Sequence, residues 1–205
     1  VAANAHSVAV DVNSGTDIGT VAIDIIADDS VNVSASVDPT ITFTIPDTTV
    51  GFGALSLTTG RWATGDTLGG DATAGNTPTA AHTMTISTNA ATGYTISYLG
   101  PTLTNGATTL AGATTIAPGD SDGTPGTEEF GLSASSSGDA TIASAYLRGT
   151  NTKWRFTANV LNAIVQETVP TDTETISISY LANIAPTTPA GSYSTDVTFV
   201  ATGNF

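Results

Sequence analysis

The sequence predicts an all-β fold: an antiparallel sandwich with an extended N-terminal donor strand ahead of it. Three observations lead there. Short runs alternate β-branched or aromatic residues with small polar ones, as in Val31-Asn32-Val33-Ser34-Ala35-Ser36-Val37 and Tyr94-Thr95-Ile96-Ser97-Tyr98, and a period of two marks a half-buried strand. The chain's 21 Gly and 9 Pro cut it into runs too short for typical helices. No stretch sustains the 3.6-residue period of an amphipathic helix. Many short strands with Gly/Pro punctuation and no helical layer indicate a sandwich.

Taken in order, residues 1–29 form an arm and residues 30–205 the sandwich, with large loops at 64–78 and 100–138. In the arm, Val8, Val10 and Val12 alternate with Ala9 and Asp11, and after Asn13-Ser14-Gly15 the pattern repeats as Val21, Ile23 and Ile25. Burying these six side chains is worth about 1.5–3 kcal/mol each before ordering costs, whereas an exposed apolar strand edge is an aggregation template. The segment must therefore join a sheet, either its own chain's or a neighbour's. It reads as two plugs with a bend or bulge at Gly15–Gly19. Strands are next expected at Val31–Val37, ending at Asp38-Pro39, and at Ile41–Ile45, ending at Pro46-Asp47.

Thr83–Ser87 and Tyr94–Tyr98 flank Asn89–Gly93, a spacing that predicts a hairpin with a longer turn. Residues 100–138 read as loop with short strands near Thr114–Ile116 and Phe130–Ser133. Trp154-Arg155-Phe156 begins a strand, and Asn159–Gln166 is the one stretch expected to form a short helix. Glu174–Ile184 sets Ile176, Ile178 and Tyr180 on one face. After Pro189-Ala190-Gly191, a last strand directs Tyr193, Val197, Phe199 and Ala201 inward.

Composition limits the function. Eighteen acids against four bases give a net charge of −14, which argues against nucleic acid or an anionic membrane as partner. With no Cys, disulfides, thiolate metal sites and thiol catalysis are excluded. No apolar run is long enough to cross a bilayer as a helix. The first residue is Val, which carries the expectation that a leader has been removed. Ala3-Asn4-Ala5 has the look of such a cleavage site, although the chain retains it.

Catalysis is not expected. His82 and the Gly119-Asp120-Ser121-Asp122-Gly123 run superficially match hydrolase signatures, but a nucleophile elbow needs a strand before it and a helix after it, and Ser121 lies between Pro118 and Pro125. Asp120, Asp122 and Glu128, near Gly123 and Gly126, are candidate oxygen ligands for Ca²⁺ without EF-hand spacing; the competing reading is a solvated acidic loop. No other cofactor is expected. Trp62, beside a glycine-rich loop, is a candidate sugar-stacking ring, and Asn32 heads the sequon Asn32-Val33-Ser34. Both are also ordinary strand or loop residues, and packing is the commoner fate of a Trp.

Beyond these readings, the chain from Val31 onward resembles exported fimbrial subunits, the spore-coat-U-like and archaic chaperone–usher pilins. The resemblance rests on Val33-Ser34-Ala35, Gly51-Phe52-Gly53, Thr83–Thr88 and Gly93–Ser97. It is strongest in the ending, Thr175–Tyr180 followed by Thr188–Thr198. It implies an immunoglobulin-like (or jelly-roll-like) sandwich lacking its last strand, the gap being filled by the N-terminal arm of an adjacent identical subunit. Val8, Val10, Val12, Val21, Ile23 and Ile25 would then be donor residues, and Val31, Val33, Ile176, Ile178, Tyr193, Val197 and Phe199 would line the acceptor groove. The family's usual disulfide is absent, and the arm and loops are longer than usual. A looser relation is to other donor-strand fibres of bacterial or archaeal surfaces. The expectation is a structural subunit of an extracellular, cell-surface filament; the alternative is a monomeric secreted glycan-binding module or adhesin.

Overall fold

A computed structural model of the chain describes residues 5–12, 17–24, 30–64, 70–106, 109–110, 122–149 and 152–205. The chain divides into two units, Val1–Asp38 and Pro39–Phe205, the boundary falling after the one read from the sequence.

In the first unit, β1 (Ala5–Val12) and β2 (Asp17–Asp24) pair antiparallel. The two expected plugs are thus each other's partners. Their register sets Val8 opposite Val21, His6 opposite Ile23 and Val10 opposite Gly19, so Gly19 belongs to a strand and not to a bend. Ile25 lies outside the described residues. Val31–Val37, expected as a strand, forms none. Val31, Val33 and Val37 keep more than four-fifths of their surface exposed. Alternation makes a segment competent to pair, but only a partner edge makes it a strand, and among the described residues this segment pairs with none.

The second unit is an antiparallel β-sandwich. One sheet holds β3 (Ile41–Thr44), β6 (His82–Thr88), β11 (Thr171–Asn183) and β8 (Glu129–Ser136) side by side. The short β4 (Arg61–Trp62) continues the line of β6 along β11, and β5 (Gly70–Asp71) pairs with β4. The other sheet runs β12 (Thr198–Gly203), β7 (Tyr94–Leu99), β10 (Asn162–Glu167), β9 (Thr141–Ile142). A 3₁₀ turn, Ser144–Tyr146, is the one helical element among the described residues.

Three local expectations are corrected. The segments of the expected hairpin are β6 and β7, which lie in different sheets, so residues 89–93 arch across the core instead of turning within a sheet. Gly93 sits at φ +70°, and a Cβ there would come within 2.2 Å of the Glu167 carbonyl oxygen; only glycine allows both the left-handed backbone and that approach. The expected helix at Asn159–Gln166 is mostly β10, which inserts between β7 and β9 because two available edges outweigh a weak local preference. Trp154–Phe156 contributes an isolated bridge, Arg155 to Leu132, not a strand. Thr114–Ile116 lies outside the described residues, and Phe130–Ser133 falls within the longer β8.

The inward positions of the central strands close the core. Met84, Ile86, Tyr94, Ile96, Tyr98, Ile176 and Ile178 are essentially inaccessible. One polar tie crosses between the sheets: the Tyr94 hydroxyl on β7 donates to Glu174 Oε2 on β11 at 2.6 Å. Glu174 Oε1 accepts from the backbone N–H groups of Asp139 (2.8 Å) and Ala140 (3.3 Å), so this buried carboxylate has donors on both oxygens, as burial requires.

Candidate functional site

The outermost strands on one side of the sandwich are unequally covered. Among the described residues, β3 pairs only with β6 and β12 only with β7, so each presents a free edge. After Thr44 the pairing with β6 ends, and residues 45–55 form no strand. On the opposite wall, residues 188–197 lead into β12, with Ser194 already paired to Thr104. Between these walls lies a cleft of about 930 Å³. Ile45, Phe52 and Leu55 line one wall and Tyr193, Val197 and Phe199 the other. His82, Phe130 and Tyr180 also line it.

The lining is aromatic and incompletely buried. Ile45, Phe52, Leu55, Tyr193, Val197 and Phe199 pack against the core yet remain partly exposed, and along β12 the inward positions Phe199 and Ala201 are only half-buried while Thr198, Val200 and Thr202 face out. Phe130 and Tyr180 lie parallel with ring centroids 6.1 Å apart, Phe52 meets Phe130 edge-on at 6.3 Å, and Phe199 meets His82 at 5.6 Å.

His82 is a largely buried titratable group within this lining. Its Nε2 shares a hydrogen bond with the Tyr180 hydroxyl at 3.1 Å, and its ring stacks on Tyr180 at 5.7 Å. Its Nδ1 is buried without a hydrogen-bond partner among the described residues. Burial holds the imidazole below its ordinary 6.5, opposed by the Thr83 backbone and by Asp47. Burial likewise raises the Tyr180 phenol, so it stays protonated.

The cleft gathers part of the groove named from the sequence. Tyr193, Val197 and Phe199 line it. Ile176 and Ile178 have no exposed surface and belong to the interior, because they pack in the core with Tyr94, Ile96 and Ile164 of the other sheet. Val31 and Val33 belong to the first unit, are exposed and are not among the residues that line this cleft; their assignment to its lining is corrected. Sequence reasoning missed His82, Phe130, Phe52, Leu55 and Tyr180 as lining residues. Tyr180 extends the Ile176/Ile178 alternation by one step, and Gly51-Phe52-Gly53 marks a chain departing from regular strand; the others carried no local signal.

Of the donor residues, Val8 and Val10 stand about half exposed on β1, at 46% and 47%. Val12 lies at the end of β1, and Val21 and Ile23 lie in β2.

Trp62 keeps 7% of its surface and clusters with Ala72, Trp154 and Leu181. A sugar-stacking ring needs an open face, so the assignment of Trp62 to glycan is corrected: pairing of β4 with β11 sets the ring opposite Leu181, where Ala72 and Trp154 help cover it. Asn32 is exposed on a segment outside any strand, not in the strand expected there. Asp120 and Ser121 lie outside the described residues. The Asp122 main-chain carbonyl accepts from Asn183 Nδ2 at 2.9 Å, Glu129 Oε2 accepts from the same amide at 2.8 Å, and Glu128 Oε1 accepts from the Thr188 hydroxyl at 2.6 Å. No three His, Cys, Asp or Glu side chains converge as a metal site among the described residues.

No protein-family model, curated protein or solved structure matches the chain.

Proposed function

We propose that this protein is a structural subunit of an extracellular, cell-surface filament, in which the N-terminal arm of one copy completes the sandwich of the next. The observation that carries the reading is the cleft: two free strand edges with partly exposed apolar side chains between them. Strand addition to such an edge supplies main-chain hydrogen bonds, while alternate side chains enter the gap and fix register. The arm supplies what the edge lacks. It pairs as a two-stranded hairpin, which in isolation is at best marginally stable in water, and its Val8 and Val10 are half exposed. A contact between arm and cleft is head-to-tail, and repeated it yields an open fibre instead of a closed ring. The acidic surface and the sequence resemblance fit an exported structural protein.

Electron microscopy of the purified full-length chain tests the reading. Fibres one subunit wide are expected, and deletion of residues Val1–Asp17 should leave monomers. A full chain that remains monomeric at high concentration, or a truncated one that polymerises normally, sinks it.

A further inference from the structure

The arm is a paired unit before it meets any partner, and this bears on how it is donated. Resting on the reading above, we infer that the arm enters the neighbouring copy as a closed hairpin: one of its strands pairs along the free edge of β12, and its sister stays hydrogen-bonded to it on the outside.

Three observations carry this. The first is the hairpin itself, with eight consecutive residue pairs from Ala5↔Asp24 to Val12↔Asp17 in unbroken register. Donating one strand alone would strip the other of these bonds and leave it nothing to pair with, and an unpaired strand with exposed backbone is what chains avoid. Kept closed, the hairpin retains all its pairs and gains a further ladder.

The second is length. An eight-residue strand extends ~27 Å at about 3.4 Å per residue. β12 itself, Thr198–Gly203, is six residues, or ~20 Å by the same rise, so it can take most of either arm strand, the remainder lying over the lead-in, where Ser194 is bridged to Thr104.

The third is width. Cα atoms of β3 and β12 approach within 8 Å of one another. Two strands inserted between two edges require about 14 Å, three spacings of about 4.8 Å. At that point neither a hairpin nor a lone strand, which needs about 9.6 Å, bridges both edges. The hairpin extends the β12 sheet by two strands, and the strand next to β12 lays its apolar side over the exposed sides of Ile45, Phe52 and Leu55.

A chain without cysteine permits a clean test. Val8→Cys with Val21→Cys places thiols at opposed positions of β1 and β2, where cross-strand Cα separations of about 4.5–5.5 Å suit a disulfide. Ala9→Cys with Thr20→Cys does the same on the other face. Polymerisation of each variant, oxidised and reduced, is followed by light scattering and electron microscopy beside the unmodified chain. The expected result is that at least one oxidised variant polymerises within about twofold of its reduced form. If oxidation holds both variants as monomers and reduction restores their fibres, a single strand is donated; the closed hairpin is then wrong while the filament reading stands. If the unmodified chain forms no fibres, the filament reading fails and this inference falls with it.

Discussion

Removing one oxygen from Tyr94 isolates what the tie between the sheets is worth. Tyr94 has no exposed surface and Glu174 keeps 6%, so neither group can turn to water when its partner is lost. In Tyr94→Phe, Glu174 Oε2 loses its one donor among the described residues while Oε1 keeps the backbone N–H groups of Asp139 and Ala140. A hydrogen bond to a charged, buried acceptor is worth about 1.5–3 kcal/mol. At roughly 2–4 °C per kcal/mol for a domain of this size, the midpoint should fall by about 3–12 °C. Urea unfolding followed by the fluorescence of the buried Trp62 and Trp154 gives the free energy directly. Adding Glu174→Gln and the double variant closes a cycle whose coupling should be at least about 1 kcal/mol. A Tyr94→Phe loss under about 0.5 kcal/mol, or a coupling near zero, would show that the two sheets are held by apolar packing alone.

The remaining predictions concern the arch, the cleft and pH. Gly93→Ala should cost at least about 2 kcal/mol, from a left-handed backbone worth about 1–2 kcal/mol plus the 2.2 Å approach to the Glu167 carbonyl oxygen; an unchanged urea midpoint would contradict that. Phe199→Asp should abolish fibres while the monomer stays folded, because truncating a half-buried ring costs about 1–3 kcal/mol against a typical 5–15 kcal/mol. Val200→Asp on the outer face of β12 should assemble normally, and equal effects at the two positions would refute the inward alternation. His82 makes stability fall on acidification. Its folded value lies below the ordinary 6.5, so the folded state binds fewer protons than the unfolded one. Its contribution is full above 6.5 and is lost as pH falls through the folded value. Asp47 and Asp196 line the same cleft and Tyr180 holds the ring, so the comparison is with His82→Gln: the stability difference between about pH 7.5 and about pH 5 should shrink in the variant, and an unchanged difference would remove His82 from the account.

The residues forming the interior were legible in the sequence because alternation survives whatever partner a strand finds. Ile176, Ile178, Ile96 and Tyr98 point inward as their spacing requires, and the lack of a helical period fixed an all-β chain. What alternation leaves open is which strand neighbours which. Thr83–Ser87 and Tyr94–Tyr98 have the spacing of a hairpin, and only the fold shows them facing one another from separate sheets, with Gly93 admitted against Glu167. Val31–Val37 alternates as well as any strand and finds no edge. The cleft was half legible: Tyr193, Val197 and Phe199 lie on one patterned segment, but His82, Phe52 and Phe130 reach it from distant parts of the chain. Side-chain period is a property of a few consecutive residues and can be read locally. Edge pairing and the convergence of distant side chains are long-range, and they are decided only when the whole chain has packed.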